Sequence, residues 1–126
     1  MKIGYAYVCG DILHYGHIRY LENAKALCGK LIVGVLSDKA IMVKKPKPTI
    51  PLIERLEMVQ ALKCIDAVVV QDDYWPTDNI AAIQPDMVIE SSSHKEPYFF
   101  PGMRTVIFPY FPEQSSTKIK KKIKNG

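Results

Sequence analysis

Ile3-Gly4-Tyr5-Ala6-Tyr7-Val8, soon followed by His14-Tyr15-Gly16-His17, is the stretch whose reading decides the fold. The first six residues form an apolar run of strand length. From 18 to 27, Ile18, Leu21, Ala24 and Leu27 recur at helical spacing, which predicts a helix. The two histidines then fall where a buried strand passes into a helix. In open α/β folds anionic ligands settle at that junction, because free backbone N–H groups and the helix dipole point there. Two imidazoles flanking a glycine that permits close backbone approach suit a phosphate. A metal pair is a rival reading, since residues three apart share a helix face, and a purely structural pair is another. No further cluster has matching spacing: Cys9, Cys28 and Cys64 are scattered and His94 stands alone, so no residue is assigned to a metal.

Outward from this junction, strand-like and helix-like segments alternate. Lys30-Leu31-Ile32-Val33-Gly34-Val35-Leu36 is almost wholly apolar, as a central parallel strand covered on both faces must be. Ser37-Asp38 ends it, and Asp38 is expected to cap a short helical turn over 39–42. A helix is predicted over 52–62, with Leu52, Leu56, Val59 and Leu62 on its buried face. A strand follows at 67–71, a short helix at 78–83 stopped by Pro85, and strands at 86–90 and 104–108. Ser115 or Ser116 opens a last helix, 116–124. The expected architecture is α/β: a Rossmann-like, doubly wound, five-stranded parallel sheet with helices on both faces. The chain reads as a single domain over 1–126, without repeats or linkers.

Between the second strand and its helix lies the loop 44–51. Pro46, Pro48 and Pro51 forbid a helix there and hold the backbone extended, so Lys44, Lys45 and Lys47 sit on a stiff segment. That arrangement suits a polyphosphate clamp, and an ordinary solvated loop is the plainer alternative. A second basic cluster, Lys118, Lys120, Lys121, Lys122 and Lys124, reads as the wet face of the last helix, with Ile119 and Ile123 docking beneath. No aromatic RNA-binding motif or DNA-reading helix accompanies either cluster. Nucleic acid is therefore not an expected partner, despite a net charge of +4.

Hydrophobic residues make up 48% of the 126, which excludes a disordered chain. No apolar run approaches the roughly 20 residues of a membrane span. No secretory signal precedes the first strand, and three unpatterned cysteines read as free thiols, so the expected location is the cytoplasm.

Four segments together resemble the nucleotidyltransferase superfamily marked by an H-x-G-H signature, and most closely its small cytidylyltransferases of the glycerol-3-phosphate type. Asp11-Ile12-Leu13-His14-Tyr15-Gly16-His17 is similar to the family's D-x-x-H-x-G-H. Arg55 in Glu54-Arg55-Leu56 resembles the arginine of its E-x-R helix. Lys63-Cys64-Ile65-Asp66 resembles a basic-x-V-D turn, with lysine in place of arginine. Ser115-Ser116-Thr117-Lys118-Ile119 resembles its S-T-T-x-I segment. Each is weak alone, but four in order and at the expected spacing are specific.

The resemblance implies transfer of a nucleotide from a nucleoside triphosphate to a small phosphorylated compound, with pyrophosphate released and Mg²⁺ as cofactor. It implies that His14, His17 and Lys44 are catalytic. The nucleotide would be bound by Cys9, Gly10, Asp11, Gly16, Lys47, Arg55, Lys63, Ser92, His94, Ser115, Ser116 and Thr117. Three stretches depart from the family pattern: Val8-Cys9-Gly10-Asp11 for G-x-F-D, Ser91-Ser92-Ser93-His94 for G-D-D-W, and Phe111-Pro112-Glu113-Gln114 for R-T-E-G-I. They reshape the pocket and remove an arginine, so they bear on nucleotide and acceptor rather than on fold or reaction class.

The reading that results is a cytidylyltransferase taking CTP and a small phosphate or phosphonate acceptor. Two rivals stay open. One is an adenylyltransferase of the same superfamily. The other is a nucleotide-binding protein without catalysis, which the missing arginine favours and the histidine pair, Lys44 and Ser115-Ser116-Thr117 oppose. A homodimer is expected from the family. Tyr98, Phe99, Phe100, Tyr110 and Phe111 read either as a partner surface or as core under a long loop.

Overall fold

The computed structural model describes residues 2–91 and 104–108. Nine elements follow one another: β1 (Ile3–Val8), α1 (Tyr15–Leu27), β2 (Lys30–Leu36), α2 (Asp38–Ile41), α3 (Leu52–Gln60), β3 (Ala67–Gln71), α4 (Thr77–Ile83), β4 (Met87–Ser91) and β5 (Arg104–Phe108). The strands pair in parallel in the order β3-β2-β1-β4-β5. The chain winds outward from β1 to β3, then crosses back to β4 on the other side of β1. Such a reversal opens a crevice beyond the carboxyl ends of the two central strands.

Alternation along the strands sends side chains to two cores. Ala6 and Val8 of β1, Leu31, Val33 and Val35 of β2, and Met87 and Ile89 of β4 pack with Tyr20, Leu21 and Ala24 of α1 and Val59 of α3. Tyr5, Tyr7 and Val88 face the other way, onto Ala40 and Ile41 of α2 and Ile80 of α4. Helices thus cover both faces of the sheet, as the sequence led one to expect.

The boundaries differ from expectation in instructive ways. α1 begins at Tyr15 rather than at 18, because His14 caps it: the His14 Nδ1 accepts the Gly16 N–H at 3.0 Å. α2 is capped by Ser37, whose hydroxyl accepts the Ala40 N–H, and not by Asp38. α3 ends two residues early. α4 is closed by Gln84 in the left-handed conformation, φ 53°, one residue before Pro85. The predicted last helix, 116–124, and the aromatic residues Tyr98, Phe99, Phe100, Tyr110 and Phe111 lie outside the described residues.

A polar strap crosses the second core. The Tyr5 hydroxyl donates to Gln71 Oε1 and accepts from Asn79 Nδ2 at 3.0 Å, while Gln71 Nε2 reaches the carbonyls of Asp73 and Tyr74. Gly34 makes room for it: a Cβ there would lie 2.0 Å from the Tyr5 hydroxyl and 2.9 Å from Gln71 Oε1. Gly34→Ala is expected to cost roughly 2–4 kcal/mol, by overpacking and by unpairing buried polar groups. Urea unfolding checks this, and a loss under 0.5 kcal/mol would mean the strap yields freely.

Candidate active site

The crevice end of β1 runs into Cys9-Gly10-Asp11. Gly10 has φ +72°, a conformation that costs an L side chain about 1 kcal/mol or more, and a Cβ on it would press on Val59 Cγ2 at 3.3 Å. The loop therefore folds back onto α3. Asp11 secures its far side, accepting the Ile50 N–H at 2.8 Å through Oδ1. The rim of the crevice is thereby tied to the proline-bound lysine loop before α1 begins.

At the start of α1 the two imidazoles lie 4.0 Å apart, centre to centre, with their planes tilted by 41°. In accepting the Gly16 N–H, His14 uses Nδ1 as a lone pair, so the neutral ring carries its proton on Nε2. Burial lowers the His14 pKa. Burial, then the neighbouring His14 and the Lys45 ammonium, push the His17 imidazole down to about 4. His17 is therefore neutral at pH 7. Its buried Nδ1 has no hydrogen-bond partner among the described residues. The pair brings neutral N–H donors to the helix start, and positive charge must come from elsewhere.

That charge is on the turn after α2. The Lys44 and Lys45 N–H groups both bond to the Ile41 carbonyl, at 3.1 and 2.9 Å. Lys45 is close enough for its charge to act on His17. The sequence reading gave it no role beyond membership of the cluster, and its position beside Lys44 was the only available signal. Lys47 is exposed, just before buried Pro48.

Two expected nucleotide contacts lie elsewhere. Arg55 is fully buried and turned into the protein. Its Nε donates to the Ile50 carbonyl at 2.9 Å, its Nη1 to the carbonyls of Cys9 (2.7 Å) and Leu36, and its Nη2 to Asp38 Oδ1 at 2.6 Å. Arg55 ties together the ends of β1 and β2 and the lysine loop; it shapes the crevice rather than lining it. Lys63 precedes β3, and since all strands are parallel it lies at the opposite edge of the sheet within the chain. A five-residue strand, at about 3.3 Å per residue, separates it from the crevice. Its neighbour Asp66 is structural there, accepting from Lys25 Nζ and from the Leu31 N–H at 2.7 Å. Ser92, His94, Ser115, Ser116 and Thr117 lie outside the described residues.

Among the described residues no group of three His, Cys, Asp or Glu side chains is gathered to hold a metal. A magnesium ion that travels on triphosphate oxygens needs no such cage, because the phosphates and water supply its ligands. Asp11, the carboxylate beside the crevice end of β1, is buried, and its Oδ1 is taken by the Ile50 N–H.

Neutral donors at a helix start, a lysine turn tied to the same loop and the carboxyl edge of a 3-2-1-4-5 sheet together suit an anionic ligand. The chain belongs to the cytidylyltransferase-like family, whose model matches residues 8–106. It is 38% identical over 96 residues to the bifunctional protein HldE of Hyphomonas neptunium, covering 75% of this chain and 20% of that protein. It is 44% identical over 71 residues to ethanolamine-phosphate cytidylyltransferase of Arabidopsis thaliana, covering 56% of this chain and 17% of that one. The chain thus spans about a fifth of the length of these relatives.

Among solved structures, the lipopolysaccharide core biosynthesis protein of Thermoplasma volcanium superposes with a TM-score of 0.75 at 24% identity. The match covers 88% of this chain and 97% of that one. A bifunctional NMN adenylyltransferase/ADP ribose pyrophosphatase of Francisella tularensis, in complex with AMP, superposes with a TM-score of 0.67 at 18% identity, covering 100% and 42%. These likenesses establish the fold alone.

Proposed function

We propose that the chain transfers CMP from CTP to a small phosphate or phosphonate monoester and releases pyrophosphate. The observation that carries this reading is the pair of close, neutral imidazoles at the start of α1, with the lysine turn tied to the same loop. An oxygen of the acceptor's own phosphate attacks the α-phosphorus. The bond from that phosphorus to the bridging oxygen breaks, and pyrophosphate leaves with the electron pair. No covalent nucleophile of the protein is required. Its task is to position the reactants and to stabilise charge that spreads over phosphate oxygens.

In this reading His14 and His17 donate to α- and β-phosphate oxygens. Lys44 bridges the α-phosphate and the attacking phosphate. Lys47 adds affinity for the nucleotide, Gly16 lets the chain approach closely, and the main chain of Cys9-Gly10-Asp11 frames the phosphates. The family resemblance assigns Ser115, Ser116 and Thr117 to the β- and γ-phosphates, and Ser92 and His94 to the base or acceptor. Mg²⁺ bound on the triphosphate would supply positive charge for the leaving pyrophosphate. A homodimer and a cytoplasmic location belong to the same proposal; among the described residues no helix is long and apolar enough to cross a membrane.

Family membership and the ethanolamine-phosphate cytidylyltransferase relative support CTP as the donor. The AMP-bound relative of the same fold supports ATP as the second reading. Pyrophosphate release with each of the four triphosphates, against a panel of phosphate and phosphonate acceptors, distinguishes them. CTP is expected to lead. Preference for ATP would overturn the cytidylyl assignment and leave nucleotidyl transfer standing. Release with no pair would favour a nucleotide-binding protein without catalysis.

In the same assay Lys44→Ala is expected to lower turnover roughly 10- to 100-fold, the worth of one charged hydrogen bond to phosphate. If neither turnover nor KM moves, the loop is only a solvated surface.

A further inference from the structure

Lys44 is exposed, and a lysine side chain is long and flexible. Left free, it would sample many positions and lose much rotamer entropy whenever it met a phosphate. In the structure it is not left free. Its Nζ lies over the ring of Tyr74, 5.9 Å from the centroid, within the range of a cation–π contact. We infer that Tyr74 is a positioning residue for Lys44, its ring face holding the ammonium over the crevice where the reacting phosphates meet. The inference rests on the functional reading above and assigns a role to a residue outside all four motifs.

Tyr74 is itself well fixed. It follows β3, on the crevice edge of the sheet, and packs against the core built from Tyr5, Tyr7, Leu36 and Ile80. Its carbonyl accepts Gln71 Nε2 at 3.2 Å. The Trp75 ring meets its own edge-on, 4.9 Å between centroids and 83° between planes. Its phenol is shifted upward in pKa by burial first, then by the nearby Cys9 and Glu90. Tyr74 therefore reaches from the lysine turn towards the ends of β1 and β4, the two strands that flank the crevice. A ring face attracts an ammonium more weakly than a phosphate does and leaves N–H bonds on its far side available. Such a contact orients Lys44 without withholding it from substrate.

The test compares Tyr74→Leu, Tyr74→Phe, Lys44→Ala and the Lys44→Ala/Tyr74→Leu double variant. Tyr74→Leu should lower kcat roughly two- to fivefold, the scale of an exposed cation–π contact, with KM for the triphosphate unchanged. Tyr74→Phe, which keeps the ring, should restore most of that loss. In the Lys44→Ala background Tyr74→Leu should have no further effect, because the residues act as one unit. Losses that multiply in the double variant would overturn the inference. A second readout needs no substrate: the ε-methylene protons of Lys44 should be shifted upfield by the ring in wild type and Tyr74→Phe, and not in Tyr74→Leu. An unshifted Lys44 in wild type would overturn it even where Tyr74→Leu fails to fold. Failure of wild type to release pyrophosphate would sink the functional reading, whereas normal wild-type turnover with independent losses would sink this inference alone.

Discussion

His17→Ala is expected to slow nucleotidyl transfer roughly 10²- to 10³-fold, the usual cost of removing one fixed donor to a developing oxyanion, and His14→Ala to do the same. Both rings sit at the start of α1, 4.0 Å apart, where a helix already favours anions. His14 has a second duty that can be separated from the first. Its Nδ1 caps α1, and losing a cap costs about 1 kcal/mol of stability. His14→Asn keeps a side-chain acceptor at the cap position but removes the Nε2 donor. It should therefore hold most of the wild-type stability while losing the rate, whereas His14→Ala loses both. Steady-state rates and thermal melts on the three variants check this. A wild-type rate in His17→Ala would make the pair structural.

The largest effect on stability is expected from Arg55→Ala, about 3–5 kcal/mol, the scale for truncating a large buried side chain and unpairing the carbonyls it serves. Arg55 bonds three backbone carbonyls and Asp38 while fully buried, so truncation removes the donors that pair the Cys9, Leu36 and Ile50 carbonyls. Arg55→Lys should rescue little, because one ammonium cannot replace a planar fork that serves four acceptors. Urea midpoints report the loss. If stability instead stays within 1 kcal/mol and only KM for the triphosphate rises, Arg55 is a nucleotide contact after all.

The same residue shows where sequence reading ends. The fold was legible because its signals are local. Lys30–Leu36 is apolar on both faces, which only a covered central strand needs, and the alternation of β1 sends Tyr5 and Tyr7 one way and Ala6 and Val8 the other. The position of the two histidines at a helix start was legible too, because a strand-to-helix junction is a sequence neighbourhood. The start of α1 was missed by three residues, since a histidine cap is not among the side chains that usually announce a helix.

Whether a basic residue reaches the crevice is a different kind of fact. Lys63 and Lys45 are both basic residues beside helix ends, but one precedes a parallel strand and the other follows the turn after one. Strand direction and order alone send them to opposite edges of the sheet. Arg55 meets a carbonyl 46 residues away, and the Lys44 ammonium meets a ring from beyond the next strand. Periodicity and motif spacing carry the elements and the histidine pair at the first helix start, because those depend on near neighbours. Which charges face the ligand and which are spent inside the protein depends on long-range hydrogen bonds, and only the folded chain brings those partners together.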